Sequence, residues 1–354
     1  MTRRVAVACA LFGLWGCGSD DEPAASPVVV LYGEPAETEL TLFPSNRYTV
    51  ADPTTATGLR VHLGKDNTAD QLVTSYPTTL AQLNELDGFS TSGGIGVRLS
   101  GPIDPRGLVK MPDADPPIVD PTKDASEYTQ AGTPLFLVEV ESGTAIGLVP
   151  RYFEQAKDVD FPSDDYTLLA EPAVPLLPER RYVFAVTDEL RARDGSRVAR
   201  SGSMRRALDG SDEPYDVELR SALDAAATVV GTSPEHVVAA TLFTTAGVQR
   251  GLLAAAKERR AAPAPAALAS WAVETAPKAP DVRVRFKTSF PAPEFRKAKP
   301  DGKWQLGPKG APVVQKTVQL ETFLAFSKAT ETGPRPVVIY QHGLGGDKDG
   351  SWGT

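Results

Sequence analysis

Between Pro134 and Thr187, short runs of apolar and β-branched residues recur at short spacing, most of them closed by a turn signal. This pattern constrains the fold more than any other feature of the chain. Runs this short do not sustain the 3.6-residue period of an amphipathic helix, but they suit strands that turn back on one another. Leu135 to Val140 and Ile146 to Val149 read as two strands joined by the hairpin turn Ser142-Gly143-Thr144. Tyr166 to Leu169 continues the pattern. Arg181 to Thr187 (Arg-Tyr-Val-Phe-Ala-Val-Thr) is the strongest strand in the chain, and the turn Asp194-Gly195 follows it. Together these runs predict a β-sandwich.

The flanking segments extend the reading. Leu59, Val61 and Leu63 alternate with Arg60 and His62, as in a half-buried strand. Thr78 to Leu86 reads as a short helix with Leu80, Leu83 and Leu86 three apart. Val97 to Leu99 is extended and is broken by Gly101-Pro102, and residues 111–125 form a Pro- and Asp-rich loop. Val217 to Val230 and Val248 to Arg260 read as helices. The Ala- and Pro-rich residues 261–267 then resemble a linker. A β-rich domain is therefore expected over 28–260, a linker over 261–280, and a second β pattern over 281–354. In that pattern Val282, Val284 and Phe286 alternate with Arg283 and Arg285. Val313 to Phe326 should form a further extended stretch.

The N-terminus reads as an address, not as fold. Arg3 and Arg4 precede an apolar stretch, Val5 to Trp15, too short to span a bilayer. It ends Leu14-Trp15-Gly16-Cys17, which resembles the lipobox of bacterial lipoproteins. Residues 1–17 are then a lipoprotein signal peptide, Cys17 carries the lipid, and 18–27 form a flexible tether. Gly18 and Ser19 stand where an inner-membrane-retaining Asp would be, so the expected place is the outer membrane, through the lipid anchor. Only Cys9 and Cys17 are present, which leaves no disulfide for the mature chain. The net charge of -8 and the lack of a basic patch with interleaved aromatics exclude nucleic acid as an expected partner. A monomer is expected.

Chemistry is concentrated near the C-terminal end. The apolar run Pro336 to Tyr340 reads as a buried strand, and His342-Gly343-Leu344-Gly345-Gly346 follows it. Glycines let a backbone turn sharply and bring N–H groups close to a ligand. A developing oxyanion needs such preorganised donors. His342, Gly343, Leu344 and Gly345 are therefore the candidate oxyanion loop, with the donors near Leu344 and Gly345 and His342 shaping the loop. No Gly-x-Ser-x-Gly occurs; Gly88-Phe89-Ser90-Thr91-Ser92 lacks the closing glycine, and Ser351 stands too close to the loop. His62 and His236 read as surface or packing histidines. Asp113, Asp115, Asp120 and Asp124 lack calcium-loop spacing, and no zinc ligand set is suggested, so neither cofactor nor metal is expected.

Several segments in order resemble the bacterial virulence-factor-type lipases, surface lipoproteins with a β-rich N-terminal domain before an α/β-hydrolase domain. They are Phe43-Pro44-Ser45-Asn46, Leu86 to Ser90, Leu177 to Asp188, Leu242 to Thr245, and the Val338 to Gly343 strand and loop. The resemblance implies an Ig-like sandwich from about Gly58 to Thr245, followed by the first strands of an α/β-hydrolase domain. It implies hydrolysis of an ester or lipid substrate by Ser-His-Asp acyl transfer in a complete homologue. It also implies the oxyanion role for the Gly343 to Gly345 loop. None of the catalytic triad has a counterpart here, so the nucleophile, acid and histidine are expected beyond Thr354 and residues 18–354 are expected to be inactive. The rival expectation is a non-enzymatic adhesion or binding lipoprotein that works through its β-sandwich.

Overall fold

A computed structural model of the chain describes residues 27–33, 40–64, 75–105, 124–157, 164–247, 249–263, 271–274, 282–297, 304–305, 307, 312–328, 333 and 337–340. The chain is mainly β and divides into two compact units, Met1–Ala246 and Gly247–Thr354. The division falls ahead of the 260/261 boundary expected from the Ala-Pro stretch.

In the first unit the strands are β1 (Leu42–Phe43), β2 (Thr49–Ala51), β3 (Leu59–Val61), β4 (Ile95–Leu99), β5 (Leu135–Glu139), β6 (Thr144–Ile146), β7 (Leu148–Gln155), β8 (Asp165–Pro172), β9 (Arg181–Thr187) and β10 (Val237–Thr244). They form two four-stranded antiparallel sheets, β1-β4-β8-β7 and β10-β9-β5-β6, with β2 and β3 as a separate ribbon. Val97, Tyr152 and Leu168 from the first sheet meet Leu137 and Phe184 from the second in one buried cluster. Phe184 stands opposite Leu137 on one side and Thr241 on the other.

Helix α1 (Pro77–Leu83) is short. The chain then forms α2 (Gly202–Asp209) and α3 (Pro214–Val230) before β10. Helix α3 begins earlier than the expected Val217, because Pro214 occupies the first helical position, where a missing N–H costs nothing. It ends at Gly231, which takes the left-handed conformation with φ 72°. Its Leu219, Ala222, Leu223, Ala226 and Val230 cover Phe136, Val138, Val183, Ala185, Ala240 and Leu242 on the outer face of the second sheet. That sheet is therefore apolar on both faces, so β9 and β10 read as continuous apolar runs. The first sheet has one face toward solvent, and β4 alternates buried with half-buried positions.

Two local expectations are corrected. Ile146 to Val149 is not one strand: β6 ends at Ile146 in the second sheet and β7 starts at Leu148 in the first. Gly147 makes the corner, where a Cβ would sit 2.9 Å from the Ala125 carbonyl oxygen. The strand β10 was not singled out from the sequence, although Val237 to Phe243 is an almost unbroken apolar run.

The second unit contains α4 (Gln249–Ala261) and an antiparallel sheet of β11 (Ala272–Glu274), β12 (Val282–Glu294) and β13 (Lys316–Ser327) in that order. Strand β11 lies inside the stretch expected to be linker. β12 and β13 form a long hairpin paired from Val282↔Ser327 to Glu294↔Lys316. Burial along β12 does not simply follow the alternation of apolar and charged residues. Arg285 and Thr288 are buried, whereas Val284 and Phe286 are half-buried. The register shifts between Val282 and Val284, and Arg285 pairs with Glu274 while lying 4.3 Å from the Phe323 ring centroid. Phe286 on the other face meets Phe326 edge-on at 6.0 Å. An ion pair plus an aromatic face is what lets an arginine be covered.

The final apolar run is also corrected. Val337, Val338, Ile339 and Tyr340 belong to no strand and are 78%, 90%, 90% and 55% exposed. A buried strand needs hydrogen-bonding neighbours for its backbone and cover for its side chains. None of the described residues supplies either.

Candidate functional site

His342, Gly343, Leu344 and Gly345 lie outside the described residues, as do Cys17, Ser351, Asp113, Asp115 and Asp120. Among the remaining candidates, Asp124 has a local task. Its Oδ1 accepts from Ser126 N at 2.9 Å, and Glu127 Oε1 accepts from Asp124 N at 3.0 Å, forming a capping box on the short helix Ala125–Thr129. Hydrogen bonds from the Ser126 backbone and then its side chain hold the Asp124 carboxyl below the usual carboxylate range. His62 is exposed at the end of β3. The His236 ring is exposed, with Nδ1 3.3 Å from the Asp188 carboxylate, beside the Arg197–Asp188 ion pair. No group of three or more metal-ligating side chains occurs among the described residues.

The structure brings together four segments that are scattered in the sequence: Phe43 to Asn46, Leu86 to Ser90, Leu177 to Asp188 and Leu242 to Thr245. Asn46 Nδ2 donates to Thr244 Oγ1 at 3.0 Å, and Thr244 N donates to Asn46 Oδ1 at 2.9 Å. Thr241 Oγ1 donates to the Pro44 carbonyl at 2.9 Å. Phe89 N donates to Thr244 O at 2.8 Å, and Ala246 N donates to Phe89 O at 2.7 Å. Thr245 Oγ1 donates to Leu177 O at 2.6 Å and accepts from Arg180 N at 3.0 Å.

Ring packing closes the same junction. Phe43 meets Phe89 edge-on at 5.2 Å, and Tyr182 stacks on Phe243 at 5.7 Å. The Tyr182 hydroxyl accepts from Leu177 N at 2.9 Å. Burial raises the Tyr182 pKa, and the Leu177 N–H partly offsets that. Gly88 is required here by close approach: a Cβ would sit 2.7 Å from the Thr244 carbonyl oxygen. The polar groups of this junction satisfy one another, so its work is structural. It fastens the end of β10 just before the chain leaves the first unit.

Removing one member of a mutual pair leaves the other buried without a partner. Asn46→Ala should therefore destabilise the first unit by about 1–3 kcal/mol, since Thr244 N and Oγ1 lose their acceptor and donor together. Urea unfolding followed by circular dichroism measures this. A change below about 0.5 kcal/mol, the range of ordinary surface substitutions, would remove the junction from the list of what holds the fold.

Compared with protein-family models, curated proteins and solved structures, the chain matches none of them significantly.

Proposed function

We propose that the chain is the anchored front part of a carboxylester or lipid hydrolase, an Ig-like sandwich followed by the first strands of an α/β-hydrolase domain. The observation that carries the hydrolase reading is the order of parts in the second unit. The oxyanion loop of that fold follows a buried strand. Here two long paired strands, β12 and β13, are followed by the apolar run Pro336 to Tyr340 and then His342-Gly343-Leu344-Gly345. In this reading the N–H groups near Leu344 and Gly345 face the developing oxyanion and His342 shapes the loop. In this reading further sheet and helices would cover the bare apolar side chains of 337–340.

The Ig-like reading rests on strand order. Lettered along the chain, the eight sandwich strands give A-B-E-D in one sheet and G-F-C-C′ in the other. The expected Ig pattern is A-B-E-D against C-F-G, with extra strands added beside C. Tyr182, at the start of β9, bonds back to the backbone five residues upstream, as the tyrosine corner of such domains does. Helix α3, between the strands lettered F and G, is a departure from the simple pattern.

The experiment is to express the reading frame continued past codon 354. A Gly-x-Ser-x-Gly serine on which ester hydrolysis depends supports the proposal. A folded product without such hydrolysis overturns it. Anchoring has its own test. Cys17→Ala in a Gram-negative host should move the protein from the membrane fraction to the soluble periplasm, because one thiol carries the whole anchor. Equal membrane retention of the variant would exclude lipidation at Cys17.

A further inference from the structure

A cleft of about 770 Å³ opens in the first unit between the loop around Tyr32 and Arg47 and the two helices α2 and α3. Its floor is a cation on an aromatic ring. The Arg47 guanidinium carbon lies 4.2 Å from the Tyr32 ring centroid and 5.9 Å from that of Tyr48. Gly33 makes room for it, since a Cβ there would sit 3.1 Å from Arg47 Nη2. Among the described residues no acceptor hydrogen-bonds this guanidinium.

Beneath it, Tyr32 is 3% exposed, and its hydroxyl is buried beside that of Tyr215. The neighbouring Tyr215 hydroxyl is already engaged, accepting from Ser45 Oγ at 2.9 Å and from Leu242 N at 3.0 Å. A guanidinium with donors to spare is costly in an empty site and useful in a filled one.

The opposite wall carries the other sign. Glu213 and Asp216 stand at the first turn of the seventeen-residue α3, whose N-terminus no side chain caps. Asp209 at the rim is held by Arg200 at 3.3 Å, and Arg206 binds Ser203 Oγ at 2.7 Å. A simple anion would meet Asp216 and Glu213, and a simple cation would meet Arg47. A ligand with both charges satisfies both walls. We propose that this cleft binds a small zwitterion, its oxyanion on the Arg47 guanidinium and its ammonium on the Asp216 and Glu213 carboxylates. The chemistry is an oxyanion and an ammonium a few bonds apart, found in free α-amino acids and in phosphoethanolamine headgroups. This inference is independent of the hydrolase reading.

Isothermal titration of the full chain with four probes tests it: L-alanine, O-phosphoethanolamine, acetate and ethylammonium. At least one zwitterion should bind with Kd in about the millimolar range, and acetate and ethylammonium about tenfold more weakly or not at all. The stronger zwitterion names the source. Arg47→Gln should abolish binding, whereas Arg47→Lys retains part of it. Asp216→Asn should weaken the zwitterion about tenfold and strengthen acetate. Acetate binding as tightly as either zwitterion overturns the proposal, as does the absence of heat from all four probes. Unchanged zwitterion binding by a folded Arg47→Gln chain also overturns it. If Arg47→Gln does not fold, the half-buried Asp216→Asn decides alone through its reversal of preference.

Discussion

On the hydrolase proposal, Gly345→Val in the product of the reading frame continued past codon 354 should lower kcat on p-nitrophenyl butyrate by about 10²–10³-fold, with KM little changed. That is the measured scale for losing one oxyanion donor. The stabilisation is realised only when charge develops on the substrate oxygen, so it acts on kcat rather than on ground-state binding. Residues 18–354 alone should show no turnover above buffer. Oxyanion donors and binding without a triad leave roughly 10³–10⁴-fold over water even in an intact site, and on this proposal the second donor comes with the nucleophile. Steady-state kinetics on both proteins checks this. Turnover by residues 18–354 that disappears with one of their own serines would place the nucleophile inside this chain and overturn the assignment of parts.

Phe184→Ala should cost the first unit about 3–5 kcal/mol, the range for emptying a buried aromatic site. Phe184 is wholly buried at the centre of β9, between Leu137 and Thr241, and faces Val97, Tyr152 and Leu168 across the sandwich. Those neighbours belong to two hydrogen-bonded sheets and cannot close the hole by simple collapse. Against a typical domain stability of roughly 5–15 kcal/mol, the loss is a large part of the whole. Phe153→Ala is the control. It removes the same ring from β7, where it is 51% exposed, and should cost far less. Similar urea midpoints for the two variants would mean that the inter-sheet core is not what stabilises this unit.

The strands were legible where one property repeated locally. Arg181 to Thr187 was bounded correctly because seven residues of strand-forming type stand in a row. Alternation placed Leu59 to Val61, and turn residues marked the hairpin at Ser142 to Thr144. β12 was placed, but the burial of Arg285 was not, because alternation across Val282 to Phe286 does not show a register shift. Nor does it show that Glu274 and Phe323 would shelter Arg285. The run 337–340 has the composition of a buried strand and none of its surroundings. Tyr32, Arg47 and Tyr215 were not candidates at all. They are far apart in the chain and follow no motif, and only packing places them around one cleft.

By itself, then, the sequence determined that the chain is mainly β and where most strands and helices run. These are properties of neighbouring residues, set by side-chain period and backbone freedom, and they are written locally. Tertiary structure alone decided which sheet each strand joins. Gly147 sends β6 and β7 into different sheets although they are one residue apart, while β1 and β4 pair across more than fifty residues. It also decided that β9 and β10 are covered on both faces, and that Phe43, Phe89, Tyr182 and Thr245 form one junction. Pairing depends on a partner elsewhere in the chain. An apolar face records that it must be covered, and it carries no record of by what.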